Sequence, residues 1–274
     1  MTAAEVLRRL ARLGTEQNRA TYRRHGVGPE LYGVSYANLE KLRRELAGEI
    51  RAGRLDAQAL AAELWATGNH DARVLATRIA DPAALDRRTL EAWAAGLDNY
   101  VLTDAFAVLA ARTAAARDCF ERWSRSQNEW RGRAGWLILG QLALQESSQE
   151  AAAREKQPEL DFAAHLATIE HEIHSRKNRV RDAMNSALIA IGLRSAELQA
   201  RALAAATRIG KVEVDHGETG CKTPDAAAYI RKATAHRASR RQSRDATPPQ
   251  NRAAARQNTA GRTVARRAAT RSKH

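Results

Sequence analysis

Aromatic residues make up only 5% of this 274-residue chain, and β-branched residues are sparse. Ala, Leu, Arg and Glu dominate in their place, so intrinsic propensity leans to helix and excludes an all-β or doubly wound sheet architecture. Cysteine is nearly missing too, since Cys119 and Cys221 are the only two and lie far apart. No disulfide framework is readable from such a pair, and two free thiols in a reducing cytoplasm are expected. Long apolar runs are also lacking. The longest, Ala134 to Leu144, is broken by Gln141 and is too short to span a bilayer, and no secretory apolar segment opens the chain. Acids at Glu5 and Glu16 argue against reading the Arg-rich amino terminus as a transit peptide. A cytoplasmic protein without a membrane partner is the expectation.

Negative charge is short in one place only. The formal net charge is +14, yet Arg231 to His274 holds 13 Lys or Arg against a single acid, Asp245, so about +12 belongs to that segment. The rest of the chain is close to neutral. Bulk charge therefore says nothing about a basic groove on the folded part, which has to come from local arrangement. The expected organisation is a helical body over residues 1–235 and a basic tail over 236–274, which lacks periodicity and large apolar residues and should be disordered.

What is abundant is helical rhythm. Thr2 followed by Glu5 is a capping box ahead of Leu7, Leu10 and Leu13. Apolar residues then recur at spacings of three and four, interrupted by turn signals, over 15–25, 35–51, 56–66, 70–79, 87–97, 99–112, 114–126, 128–144, 160–175, 178–193, 196–209 and 225–235. Short connections force antiparallel neighbours. Pairs recurring every 35 to 45 residues or so match a HEAT-like solenoid, in which each pair buries its apolar face against the next. The absence of a strict repeat leaves an irregular helical bundle as the alternative. The polar stretch Gln145 to Gln157 reads as a loop, and Lys211 to Pro224 as a structured turn with Thr223 capping the last helix and Pro224 in its first position.

Three residues stand out chemically. Tyr100 and Asp104 are four apart and so share one helix face, and Arg133 opens a later helix whose other side is apolar. An aromatic face, an anion and a phosphate-binding cation suit a cationic sugar or base on a nucleic-acid backbone. Arg176, Lys177, Arg179 and Arg181 form a basic cluster that reads either as a phosphate-contacting edge or as a solvated face. His171 and His174, with Asp215, His216, Glu218 and Cys221, carry metal-ligand chemistry but lack zinc-site spacing, so no metal is expected. Trp65, Trp93, Trp123 and Trp136 sit in apolar stripes and read as core.

The order Glu63-Leu64-Trp65, the Arg73 to Ile79 helix, Tyr100, Asp104 and Trp130-Arg131-Gly132-Arg133-Ala134 resembles the AlkD-type DNA alkylation repair family over roughly Leu31 to Ala235. That resemblance implies a HEAT-like solenoid that acts as a monomer on alkylated double-stranded DNA and excises cationic N3- or N7-alkylpurines by hydrolysing the N-glycosidic bond, with no cofactor. Asp104 then matches the catalytic carboxylate near the deoxyribose, Tyr100 an aromatic that is usually tryptophan, and Arg133 the arginine on the backbone. A second family tryptophan falls near Ser186, which removes half of the aromatic cradle. The alternative from a different class is a noncatalytic HEAT-like nucleic-acid-binding or scaffolding protein.

Overall fold

The computed structural model describes residues 1–145 and 160–245, with side chains as far as Arg240. Most of the stretch expected as a loop after Gln145, and the tail from residue 246 on, lie outside the described residues. Met1–Ile230 forms one compact unit, and the described residues from Arg231 onward belong to another.

Thirteen α-helices are found among the described residues: α1 (Ala3–Leu13), α2 (Glu16–Arg24), α3 (Tyr36–Arg51), α4 (Ala57–Ala66), α5 (His70–Ile79), α6 (Arg87–Ala95), α7 (Tyr100–Ala110), α8 (Ala116–Trp123), α9 (Glu129–Leu144), α10 (Phe162–Glu172), α11 (Asn178–Gly192), α12 (Ala196–Ile209) and α13 (Ala226–Asp245). No strand is present among those residues, only an isolated bridge between Gly14 and Val34. The boundaries follow from side-chain caps. Thr2, Thr15, Ser35, Asp56, Asn69, Asp86, Asn99, Asn128, Asp161 and Ser195 each accept a backbone N–H in the first turn of the following helix. Each such cap satisfies an amide that the helix cannot, typically worth about 1 kcal/mol.

Two expectations at the carboxyl-terminal end are corrected. The last helix starts at Ala226, capped by Asp225, whose Oδ1 accepts the Ala228 amide at 2.8 Å. Thr223 is instead engaged by His216 Nε2 at 3.0 Å, while the Pro224 carbonyl accepts Asn185 Nδ2 at 3.0 Å and holds the chain outside the helix. This helix also continues to Asp245, beyond the end expected at Ala235. The reason is local propensity, because four Arg with Ala238 and Gln242 make up most of the added turns and neither Gly nor Pro interrupts them.

The helices pack in two rows. Helices α3, α5, α7, α9 and α11 contact one another in succession, and α4, α8 and α12 back onto α5, α9 and α11. Helix α9 is central and is buried almost all round, from Gly132 through Ala143. Gly135 is what allows α8 to approach it: a Cβ there would lie 2.4 Å from the Ser124 nitrogen. The scarce aromatics concentrate between the rows, as expected for the four tryptophans. Trp65 and Trp93 stack with centroids 4.4 Å apart, and Phe106 bridges Trp65 to Trp123 at 6.0 and 5.7 Å. Such pairs add about 0.5–1.5 kcal/mol beyond their area.

The turn between α2 and α3 is fastened from α5. Asp71, fully buried, accepts the amides of Tyr32, Gly33 and Val34 at 2.7, 3.0 and 2.9 Å. Three converging N–H groups replace water around the carboxylate, and Gly33 supplies the positive φ of 78° that turns them inward. This fixes where α3 begins, and with it the position of Tyr36.

Candidate functional site

Tyr100, Asp104, Arg133 and the basic cluster Arg176 to Arg181 project from α7, α9 and α11 or their ends, whereas His171 lies on α10, His174 just after it, and Asp215, His216, Glu218 and Cys221 in the loop before α13. Asn99 caps α7, and the next two turns carry Tyr100 and Asp104 on one face, as the spacing requires. Arg133, one turn into α9, is 4% exposed. Its guanidinium faces Asp104 in a bidentate pair, Nε donating to Oδ1 at 2.7 Å and Nη2 to Oδ2 at 3.1 Å. Nη1 donates to Asp182 Oδ2 at 2.7 Å and to the Arg179 carbonyl at 2.9 Å. The fork expected on a phosphate is thus directed at two carboxylates and a carbonyl of the protein.

The two acids differ in setting. The Asp182 side chain is 17% exposed and that of Asp104 is 46% exposed, so Asp104 is the carboxylate presented to solvent. Burial pushes the Asp104 carboxyl above its ordinary range, against the opposing pull of Arg133. The arginine itself stays charged, since the two carboxylates outweigh its own burial and raise it.

Tyr100 is half-buried and already has company. The Arg179 guanidinium lies 4.3 Å from its ring centroid, and that of Arg133 lies 5.6 Å away. Its hydroxyl is hydrogen-bonded to His25 Nδ1 at the end of α2. Burial raises the tyrosine hydroxyl and lowers the His25 imidazolium, so a protonated hydroxyl donates to a neutral ring. Arg179 also donates to His216 Nδ1 at 3.3 Å, and with Nε2 on Thr223 that histidine is tied into the loop. Asn178 clamps the same loop, accepting the Asp215 amide at 2.7 Å and donating to its carbonyl at 2.8 Å. Between this loop and α2 is a cleft of about 340 Å³ lined by Arg24, His25, Glu218, Thr219, Gly220 and Cys221.

The basic cluster at the start of α11 divides. Arg176 is held inward by Glu172 and by the Ser124 carbonyl, at 2.9 and 2.6 Å. Lys177 is exposed, Arg179 lies on Tyr100, and Arg181 is half-buried with its Nε enclosed and unpartnered. Ser186 is half-buried on α11, one turn beyond Asp182, and brings no ring to the wall. His174 Nε2 is bonded to the Ile209 carbonyl at 2.9 Å, and among the described residues no group of three or more His, Cys, Asp or Glu is placed to hold a metal ion. No helix among them is long and apolar enough to cross a membrane.

Several participants were not read from the sequence. Asp182 had a usable signal, as the lone acid that directly follows the basic run Arg176 to Arg181. His25 and Tyr36 had none, because loop and helix ends converge here only through tertiary packing.

The fold and this wall define a class: a helical-repeat protein that presents an acid, an aromatic and arginines from successive helices. Residues 6–243 match the family model described as DNA alkylation repair enzyme, and the chain belongs to that family. The uncharacterized protein Lin0241 of Listeria innocua is 28% identical over 217 residues, covering 77% of this chain and 88% of the relative. Lmo0209 of Listeria monocytogenes, also uncharacterized, is 27% identical with the same coverage. A solved structure with TM-score 0.73 and 27% identity covers 86% of this chain and 95% of its own. It is described as a new family of proteins related to the HEAT-like repeat DNA glycosylases, with affinity for branched DNA structures. The fold is accordingly the HEAT-like repeat expected from the helical rhythm.

Proposed function

We propose that this protein binds DNA on the wall formed by Tyr100, Asp104, Arg133 and Arg179 and recognises branched duplexes without excising a base. The observation that carries this reading is the occupancy of the wall by its own side chains. Arg133 is engaged by two carboxylates, and Arg179 covers Tyr100 at 4.3 Å, so neither the phosphate fork nor the open π-face of a cationic-base site is free. Ser186 supplies no second ring. Branched DNA is taken from the relative of similar fold. The test is fluorescence anisotropy with a four-way junction and a linear duplex of the same sequence. Tighter binding of the junction, by about tenfold or more, is expected; equal affinities would refute the reading.

A second reading, excision of cationic N3- or N7-alkylpurines, is favoured by Asp104 alone. Its carboxylate remains about half exposed beside Tyr100. A base that is already positively charged needs no acid to leave, and a carboxylate facing the sugar stabilises the oxocarbenium-like transition state. Release of N7-methylguanine or N3-methyladenine from methylated duplex by the wild type, and its loss in Asp104→Asn, would establish it.

A further inference from the structure

Among the described residues the large rings left open to solvent are Tyr36, 44% exposed, and Tyr229, 50% exposed. Tyr229 lies beside the boundary between the two units. Tyr36 belongs to the row that carries the site, as the first residue of α3, directly after the Ser35 cap. Its position is fixed from below, because the preceding turn is locked to Asp71 and the Val34 carbonyl accepts the Tyr22 hydroxyl at 2.7 Å.

The ring is also backed. The Arg78 guanidinium from α5 lies 4.8 Å from its centroid, and Glu40, one turn along α3, steadies that arginine at 4.0 Å. A cation beneath an aromatic ring is a favourable stack. Helix α5, which carries Arg78, lies between α3 and the α7 that carries Asp104, so the ring stands on the same row of helices as the site. The Arg78 side chain keeps 28% of its surface in water, enough to meet a phosphate next to whatever the ring holds.

A ring fixed at its backbone, supported on one side and exposed over much of its surface, matches the π-face of a heterocycle. Bases inside a continuous duplex show only their edges to a protein. An unpaired base can turn its face outward and stack, a contact that tolerates any sequence. We propose that Tyr36, supported by Arg78, is the stacking platform for an unpaired nucleobase, and is the residue that distinguishes interrupted from continuous DNA. The inference rests on the DNA-binding reading above and adds the feature of the DNA that is read. It also gives the wall an aromatic in place of the ring missing at Ser186, on a different helix.

The experiment compares wild type, Tyr36→Phe and Tyr36→Ala on three probes: a linear duplex, a four-way junction whose arms are fully paired, and a three-way junction with two unpaired bases at the branch, one of them 2-aminopurine. The wild type is expected to bind the last most tightly and to quench its fluorescence. Tyr36→Phe keeps both properties. Tyr36→Ala loses about tenfold in affinity for that probe, loses the quenching, and binds linear duplex as before. Full preference and quenching retained in Tyr36→Ala would overturn the assignment while leaving branched-DNA recognition standing. An equal loss on all three probes would make Tyr36 a packing residue and overturn it as well. A wild type that prefers neither junction over the duplex defeats both proposals, and one that prefers the fully paired junction as strongly as the unpaired one defeats only this one.

Discussion

Replacing Arg133 with methionine removes a buried cation while roughly keeping its volume, and the outcome follows from its partners. The change deletes four hydrogen bonds of 2.7 to 3.1 Å and leaves Asp104 and Asp182 facing each other without a counter-charge. Breaking a buried pair by removing one partner is destabilising by about 3–5 kcal/mol. The Asp104 arm is nearly half in water, where pairing contributes little, so the lower end, about 3 kcal/mol, is expected, most of it through Asp182. For a chain of this size that lowers the melting temperature by roughly 6–12 °C. Adding Asp182→Asn removes the stranded charge, so the double variant is more stable than the sum of the singles by about 1–3 kcal/mol. The pH arm has a definite sign. The Asp104 carboxyl, already raised by burial, loses the opposing pull of Arg133, so the penalty is complete at neutral pH and shrinks as acid protonates it. Urea unfolding followed by circular dichroism at pH 7 and at pH 4 reads all three quantities. A loss below about 1 kcal/mol at pH 7, or strict additivity with Asp182→Asn, would refute the claim that this guanidinium holds the two acids together.

Other consequences can be measured on the same material. Asp71→Ala strands three buried amides and should remove about 3 kcal/mol or more of stability in urea unfolding, whereas a loss under about 1 kcal/mol would mean that water replaces the carboxylate. Cys119 is buried and its thiol is pushed up to about 12, while Cys221 is exposed. A disulfide reagent at pH 8 should therefore titrate one thiol in the native protein and two in denaturant, and two fast native equivalents would contradict the packing of α8. His70 and His165 are held below the ordinary histidine value, chiefly by burial. A depressed folded pKa leaves stability intact above about 6.5 and removes it as pH falls below that, so urea midpoints should decline from pH 7 to pH 5.5; a flat profile would exclude the assignment.

The helices were legible because their starts are written in side chains. A Ser, Thr, Asp or Asn that closes on an amide two or three residues ahead is a local event, and local events survive in sequence. The course of α13 past Ala235 was not legible, since no apolar periodicity marks it. The same division runs through the site. Tyr100 and Asp104 share a face by helical geometry alone, but Arg133 reaches Asp104 across 29 residues of sequence, and a buried arginine is spelled like an exposed one. Its neighbours Gly132, Ala134 and Gly135 are all buried, and a cation set among such small residues is a mark of an inward-facing position. Tyr36 was missed because exposure of a ring at a helix start depends on where the preceding turn is tied, and Asp71, 35 residues away, ties it.

Several arginines of the body share a task that bears on the proposed recognition of DNA. Arg73 donates to the carbonyls of Trp65 and Gly96, Arg176 to that of Ser124, and Arg194 to those of Ala143 and Gln145, at 2.6 to 3.1 Å. Each acceptor lies at the carboxyl-terminal end of a helix, where carbonyls lack intrahelical partners and the dipole favours a cation. These guanidiniums join successive helix pairs, and Arg133 does the same between α7, α9 and α11. A body that is arginine-rich yet nearly neutral, with these four cations turned inward and exposed ones such as Arg44, Arg54, Arg122 and Arg208 paired with acids, has little net positive charge to draw phosphates. Most of the salt-sensitive affinity is then expected from the basic segment Arg231 to His274, to the same degree on duplex and on junction. The two contributions separate in one titration. As salt is raised from about 50 to 200 mM, affinity for every DNA should fall steeply, while the ratio of junction to duplex affinity stays nearly constant, because stacking and shape carry it. If the ratio collapses along with the affinity, discrimination comes from the number of phosphates contacted, and the wall of Tyr36, Tyr100 and Asp104 does not read the branch.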